Sequence, residues 1–258
     1  MTFMIPSEVC QQLIESSDIA SAIVGGLIGA LAGGIPAWAL AKRQSNETLR
    51  RDREQRVENQ KALAFSVVVK LLHIINSTIS LSNHVKSHLA LRNDPARNHM
   101  EPWQVLVPMI GHTDDEGTLR FTADEMGVFA AMNEYDFMQD IMLLAMRHSS
   151  SLSAFKEYCK MRSEFRAIGP KPQDFNGQIG GAWLTPEEAI KLKPYTIPMN
   201  NIVDGLDAGL DEDVRLARTI AERFGPVTAR HFEMTKFANL SFPSDDELAA
   251  MRQPPSIR

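Results

Sequence analysis

Lysine and arginine are missing from the first 18 residues, and charge of either sign is missing from residues 19–41. The first absence argues against a cleavable signal peptide, which opens on a basic region. Here the stub carries Glu8, Glu15 and Asp18 instead. The second leaves an apolar run long enough to cross the roughly 30 Å hydrocarbon core of a bilayer as a helix. Cysteine is scarce. Cys10 and Cys159 are the only two, and the run lies between them, which excludes a disulfide framework within one chain. A strongly basic balance is absent too, since the net charge is −5, so the chain lacks the electrostatic footprint of a nucleic-acid binder.

Catalytic and cofactor signatures are likewise missing. There is no HExxH pair, no nucleophile elbow, no kinase motif set and no EF-hand spacing. These gaps lean away from an enzyme, and the sequence indicates no catalytic residue, cofactor or metal.

What is present begins with the run itself. Lys42 and Arg43 follow it at once, and Arg50, Arg51, Arg53, Arg56 and Lys61 come soon after. Basic residues favour the cytoplasmic side, so residues 1–18 are expected outside and the rest of the chain inside, as suits a bacterial inner membrane. Trp38 is expected to anchor at the interface, with Lys42 and Arg43 reaching the headgroups. Ser21, Gly25, Gly29, Gly33 and Ala37 recur every four residues. Such a glycine zipper lets two helices approach closely and predicts self-association through this face. Pro36 should bend the last turns of the span.

Residues 45–92 contain no glycine or proline, and the spacing predicts one long helix. Residues 42–61, which lead into it and form its first part, are charged and read as a juxtamembrane stalk. Further on, Val57, Ala64, Val68, Leu71, Ile75, Thr78, Leu81 or Ser82, and Val85 follow a near-heptad, as a core helix or a coiled-coil seam would. Residues 103–110 and 117–122 suggest one small β-hairpin across the polar turn 112–117. Thr122 and Glu125 open a helix expected to run to about Arg147. Ser149, Ser150 and Ser151 are expected to break it before a second helix ending near Ile168. Residues 169–198 form a Gly/Pro-rich connector with a short helix after Thr185. Ile202, Leu206, Leu210, Val214, Ala217, Ala221 and Phe224 mark an amphipathic helix that Gly225-Pro226 should stop, followed by a last helix to about Asn239. A tail, residues 241–258, is expected to be disordered.

The fold class expected is therefore all-α: a single N-terminal transmembrane helix (19–41), the stalk (42–61) and a cytosolic helical bundle (62–240). Three weaker clusters are read as ordinary surface. His84 and His88 share a helix face without a nearby carboxylate. His99, His112, Asp114, Asp115 and Glu116 surround the proposed hairpin. Asp204, Asp207 and Asp211 form a solvated acidic stripe, with Glu212 and Asp213 beside it. Gly177, Gly180 and Gly181 lack the lysine of a phosphate-binding loop. The function expected is a non-enzymatic, oligomerising adaptor, sensor or assembly protein. Its partners would be the bilayer, a second copy through the membrane helix and a cytosolic protein. The alternative is a small channel-like assembly of glycine-zipped spans, and a membrane-tethered enzyme is a third, weaker reading.

Overall fold

A single helix, α1, spans Ser7–Leu89 in the computed structural model and runs through the glycines and Pro36 of the apolar stretch. The structure describes residues 7–109, 120–169, 174–176, 179–181 and 185–253. Side chains are described at Ala37, Trp38 and from residue 40 onward, the two short strands apart. After α1 come a 3-10 turn (Ala90–Asn93), α2 (Pro102–Val105), α3 (Ala123–Ala131) and α4 (Tyr135–Ile168). Then follow β1 (Asp174–Asn176), β2 (Ile179–Gly181), α5 (Pro186–His231) and α6 (Asp245–Met251). The described chain is helical apart from the antiparallel ribbon of β1 and β2, which pairs Phe175 with Gly180. Contacts divide it into two compact units, Met1–Asn59 and Gln60–Arg258.

In the first unit every described side chain is exposed. Val57 belongs here, 40% exposed, and not to the core line that the near-heptad assigned it to.

In the second unit that line is buried from Ala64 onward: Ala64, Val68, Leu71, Ile75, Thr78, Leu81, Ser82 and Val85 are all inside. The opposite strip, with Phe65 and Val69 each 56% exposed, faces outward. The larger apolar cluster joins Leu71, Ile74 and Ile75 of α1 to Phe129 of α3, Phe137 and Ile141 of α4, and Phe224 of α5. The rings of Phe129, Phe137 and Phe224 stand 5.7–6.1 Å apart, a tilted to edge-on aromatic triangle. A second cluster joins Leu81 and Val85 to Leu152, Phe155 and Tyr158 of α4 and to Met199, Val203 and Leu206 of α5.

Several expected boundaries move. Residues 103–105 are helical and not a strand, because Pro102 sits at the start of α2 and Glu101 closes a capping box with Gln104. Residues 106–109 and 120–122 carry no strand either, and residues 110–119 lie outside the described residues. The serines at 149–151 do not break α4. The buried stripe Leu144, His148, Leu152 and Phe155 passes straight through them, and serine's small helix penalty does not outweigh it. The real break falls at Asn133, in a left-handed conformation with φ 58°. There Glu134 N–H donates to Phe129 O and Asn133 N–H to Ala130 O, a Schellman closure.

The same closure ends α5. Glu233 takes φ 52°, and Met234 N–H donates to Ala229 O. Gly225-Pro226 does not stop α5, which also carries Pro194 and Pro198 inside it. A continuous buried row from Leu192 through Leu206 and Phe224 to Thr228 offsets the proline penalties. No separate helix reaches Asn239. Instead, part of the expected tail folds as α6, with Leu248 buried.

Candidate functional site

The membrane-side residues named from sequence lie in the first unit. Ser21, Gly25, Gly29 and Gly33 have helical backbone in α1, and what surrounds them lies outside the described structure. Ala37 is exposed. Trp38 is 65% exposed and Leu40 61%, an unusual amount of apolar surface for water to cover. One turn on, the Lys42 ammonium lies 4.9 Å from the centre of the Trp38 ring, a cation–π contact. Arg43 pairs with Glu47 at 3.4 Å and Arg50 with Glu54 at 3.3 Å, both four residues apart along the helix. Trp38, Lys42, Arg43, Asn46, Glu47 and Arg50 lie together along one exposed face of the helix. These ion pairs are so exposed that each adds only a few tenths of a kcal/mol to the helix.

By length and composition α1 is apolar enough to cross a membrane. Over the described residues, the stretch meeting that test lies within Leu40–Asn93, with mean hydropathy 1.7 in its most apolar window. Half of that window is buried inside the fold. The buried half is the core line of the second unit, and Phe65 and Val69 lie on the exposed half. The uncharged residues 19–41 lie N-terminal to it.

The histidine pair is structural in its contacts. His84 Nε2 bonds Val107 O at 2.6 Å, and His88 Nδ1 bonds His84 O at 2.8 Å. Their rings stand 4.3 Å apart, and His84 meets Phe155 edge-on. Among the described residues no three His, Cys, Asp or Glu side chains gather as a metal site would. His99 is exposed, while His112, Asp114, Asp115, Glu116 and Gly177 lie outside the described residues. Gly180 and Gly181 belong to β2.

The acidic stripe of α5 is not merely solvated. Lys86 of α1 holds Asp207 at 2.7 Å and Asp211 at 2.9 Å, and Arg252 adds a 3.2 Å contact to Asp211. Burial pushes the Asp211 carboxyl up, but hydrogen bonds and charge from Lys86 and Arg252 outweigh it and hold the group below its ordinary range. Asp213, 2% exposed, pairs with Arg147 of α4 at 2.5 Å and accepts from Ser151 at 3.3 Å. Asp204 is exposed.

Two further clusters join residues far apart in sequence. Arg162 is 9% exposed, and its guanidinium donates to the carbonyls of Trp103, Gln104 (3.3 Å) and Leu106 (2.6 Å). The Tyr158 hydroxyl joins it at 2.6 Å and also donates to Leu106 O. Burial pushes Tyr158 up to about 12, against the pull of Arg162. The cation thus meets the carbonyl-rich end of α2, where a helix carries partial negative charge. Second, Glu125 of α3 accepts from Lys70 at 2.8 Å, from Ser66 at 2.6 Å and from Thr122 N–H at 2.8 Å. Burial raises this carboxyl, and those three donors together hold it below its ordinary range. Only the Thr122–Glu125 capping signature was visible in sequence. Its long-range partners on α1 were not.

The chain matches no protein-family model, no curated protein and no solved structure.

Proposed function

We propose that the chain is a single-pass membrane protein, anchored by residues 19–41 with its N-terminal stub outside. In this reading the second unit is a cytosolic helical bundle that acts as an adaptor, sensor or assembly module. The observation that carries it is the junction at residues 37–43. An uncharged helical run ends at a tryptophan and a leucine that are mostly exposed, followed at once by Lys42 stacked on Trp38 and by Arg43. A bilayer interface covers such a ring and leaves the cations in the headgroups. The polar clusters of the second unit tie helix to helix, which suits a domain that presents a surface. Small residues every four positions in the run favour pairing with a second copy.

The test is labelling in intact cells with a membrane-impermeant thiol reagent. Cys159 is a poor reporter, because it is half-buried and burial pushes its thiol up. Ser149 is exposed, so Ser149→Cys in a Cys159→Ala background serves in its place. The expected result is labelling of Cys10 before lysis and of position 149 only after it. The reverse order inverts the topology. Recovery of the full chain in the soluble fraction overturns the anchor.

A further inference from the structure

Charge is sorted around the exposed part of α1 in the first unit. At 3.6 residues per turn, Trp38, Lys42, Leu49, Arg53 and Arg56 fall on one strip, within about 60° of arc. All five are exposed, and Lys42 is stacked on Trp38. Beside the strip, Arg43 and Arg50 are already paired with Glu47 and Glu54. Glu54 and Glu58 lie on the far side of the helix, and Arg51 lies with them. Asp52 borders the strip, yet among the described residues no carboxylate pairs with Arg53 or Arg56. The strip therefore sets two exposed apolar side chains among cations that lack a carboxylate partner.

Anionic lipid reaches only the first turn of this strip. With residues 19–41 as the anchor, Lys42 sits at the headgroups, and Arg53 and Arg56 lie about 16 and 21 Å further along the helix at 1.5 Å per residue. A tilt of about 40° still leaves them roughly 12 and 16 Å out. The field of a charged membrane fades over a Debye length, about 8 Å at physiological salt. Nucleic acid fits poorly as well, because the chain carries a net charge of −5 and has acids within a turn of the strip. A helix lying alongside α1 covers the whole length. It sets apolar residues on Trp38 and Leu49, three turns apart, and carboxylates against Lys42, Arg53 and Arg56.

We propose that the strip from Trp38 to Arg56 is a docking surface for an acidic, amphipathic helix of a partner protein. It gives the adaptor reading a partner of stated chemistry. It rests on the anchor reading only where that reading excludes lipid.

The test uses the full chain in phosphatidylcholine nanodiscs. The probe is a fluorescein-labelled helical peptide of leucine, alanine and glutamate, with its leucines on one face, and anisotropy reads its binding. The expected result is saturable binding. Arg53→Gln should weaken it about fivefold, and Leu49→Gln by at least as much. Arg51→Gln removes the same charge two residues away on the other side, and it should change binding less than about twofold. Equal losses for Arg51→Gln and Arg53→Gln refute the docking strip, because attraction by net charge would then explain the binding. Absence of saturable binding refutes the proposal outright. Phosphatidylglycerol discs should leave the affinity unchanged, and loss of peptide binding there assigns the strip to lipid and overturns the proposal. Single-stranded RNA that binds more tightly than the peptide, with the same dependence on Arg53, overturns it too. A full chain that stays soluble without lipid overturns the anchor and not the strip, since the peptide assay then runs in solution.

Discussion

Tyr158 and Arg162 stand one turn apart on α4, with the phenol oxygen 2.6 Å from Arg162 Nη1, and both reach the carbonyl of Leu106 just beyond α2. α2 is only four residues long and could not hold its place by helix propensity. The buried guanidinium supplies the donors that its terminal carbonyls would otherwise take from water.

Arg162→Met should therefore lower stability by about 2–3 kcal/mol, the cost of leaving buried carbonyls without a charged donor. Arg162→Lys should recover only part of it, since an ammonium cannot span Gln104 O and Leu106 O in one planar fork. Urea midpoints for the three proteins measure this. Equal midpoints for Arg162→Met and the native chain would show that the cluster contributes nothing.

Glu233 ends α5 with φ 52°, a conformation that costs a side-chain-bearing residue energy and costs glycine little. Glu233→Gly should raise stability by roughly 0.5–1 kcal/mol, after allowing for the greater freedom of glycine in the unfolded chain. A lower thermal midpoint in Glu233→Gly would show that the Glu233 side chain contributes more than its backbone costs.

That residue also shows where the sequence was opaque. Helix ends are read from glycine and proline, and here the two left-handed closures use Asn133 and Glu233, while Gly225, Pro226, Pro194 and Pro198 lie inside α5. Burial along a 46-residue helix overrode those local signals. Core positions were legible because 3.6-residue periodicity is a property of the chain itself. Leu206, Leu210, Ala217 and Phe224 were placed inward from spacing alone, and all are buried. The polar clusters were not legible, because Lys70–Glu125 and Lys86–Asp211 join residues 55 and 125 positions apart. Nothing local in the sequence sets such pairs.

The proposed pairing through the apolar run rests on the glycine row. Gly29→Leu places a branched side chain where two backbones would approach, so it should weaken association by about 1–2 kcal/mol without hindering insertion, because leucine is the more apolar residue. Oligomer size in detergent and a membrane-association assay read the two effects separately. An unchanged size in both would remove the glycine face from the reading.

The acid limb of stability should follow Glu125. Its carboxyl titrates below the ordinary value of 4.5, since donors from Lys70, Ser66 and Thr122 outweigh burial. A depressed folded value means that the unfolded chain binds the proton first. The stabilisation is fully present above 4.5 and fades as pH falls through the lower folded value. Glu125→Gln removes this charge at every pH. It should cost about 1–3 kcal/mol near neutrality, leaving the Lys70 ammonium, whose side chain is 19% exposed, opposite a neutral amide. Asp211 and Glu212 are depressed as well, so both proteins weaken in acid. The readout is therefore the gap between them. Urea midpoints should converge as pH is lowered from neutrality to about 3. A gap of constant size across that range would mean that the packing of the carboxyl, and not its charge, holds α3 to α1.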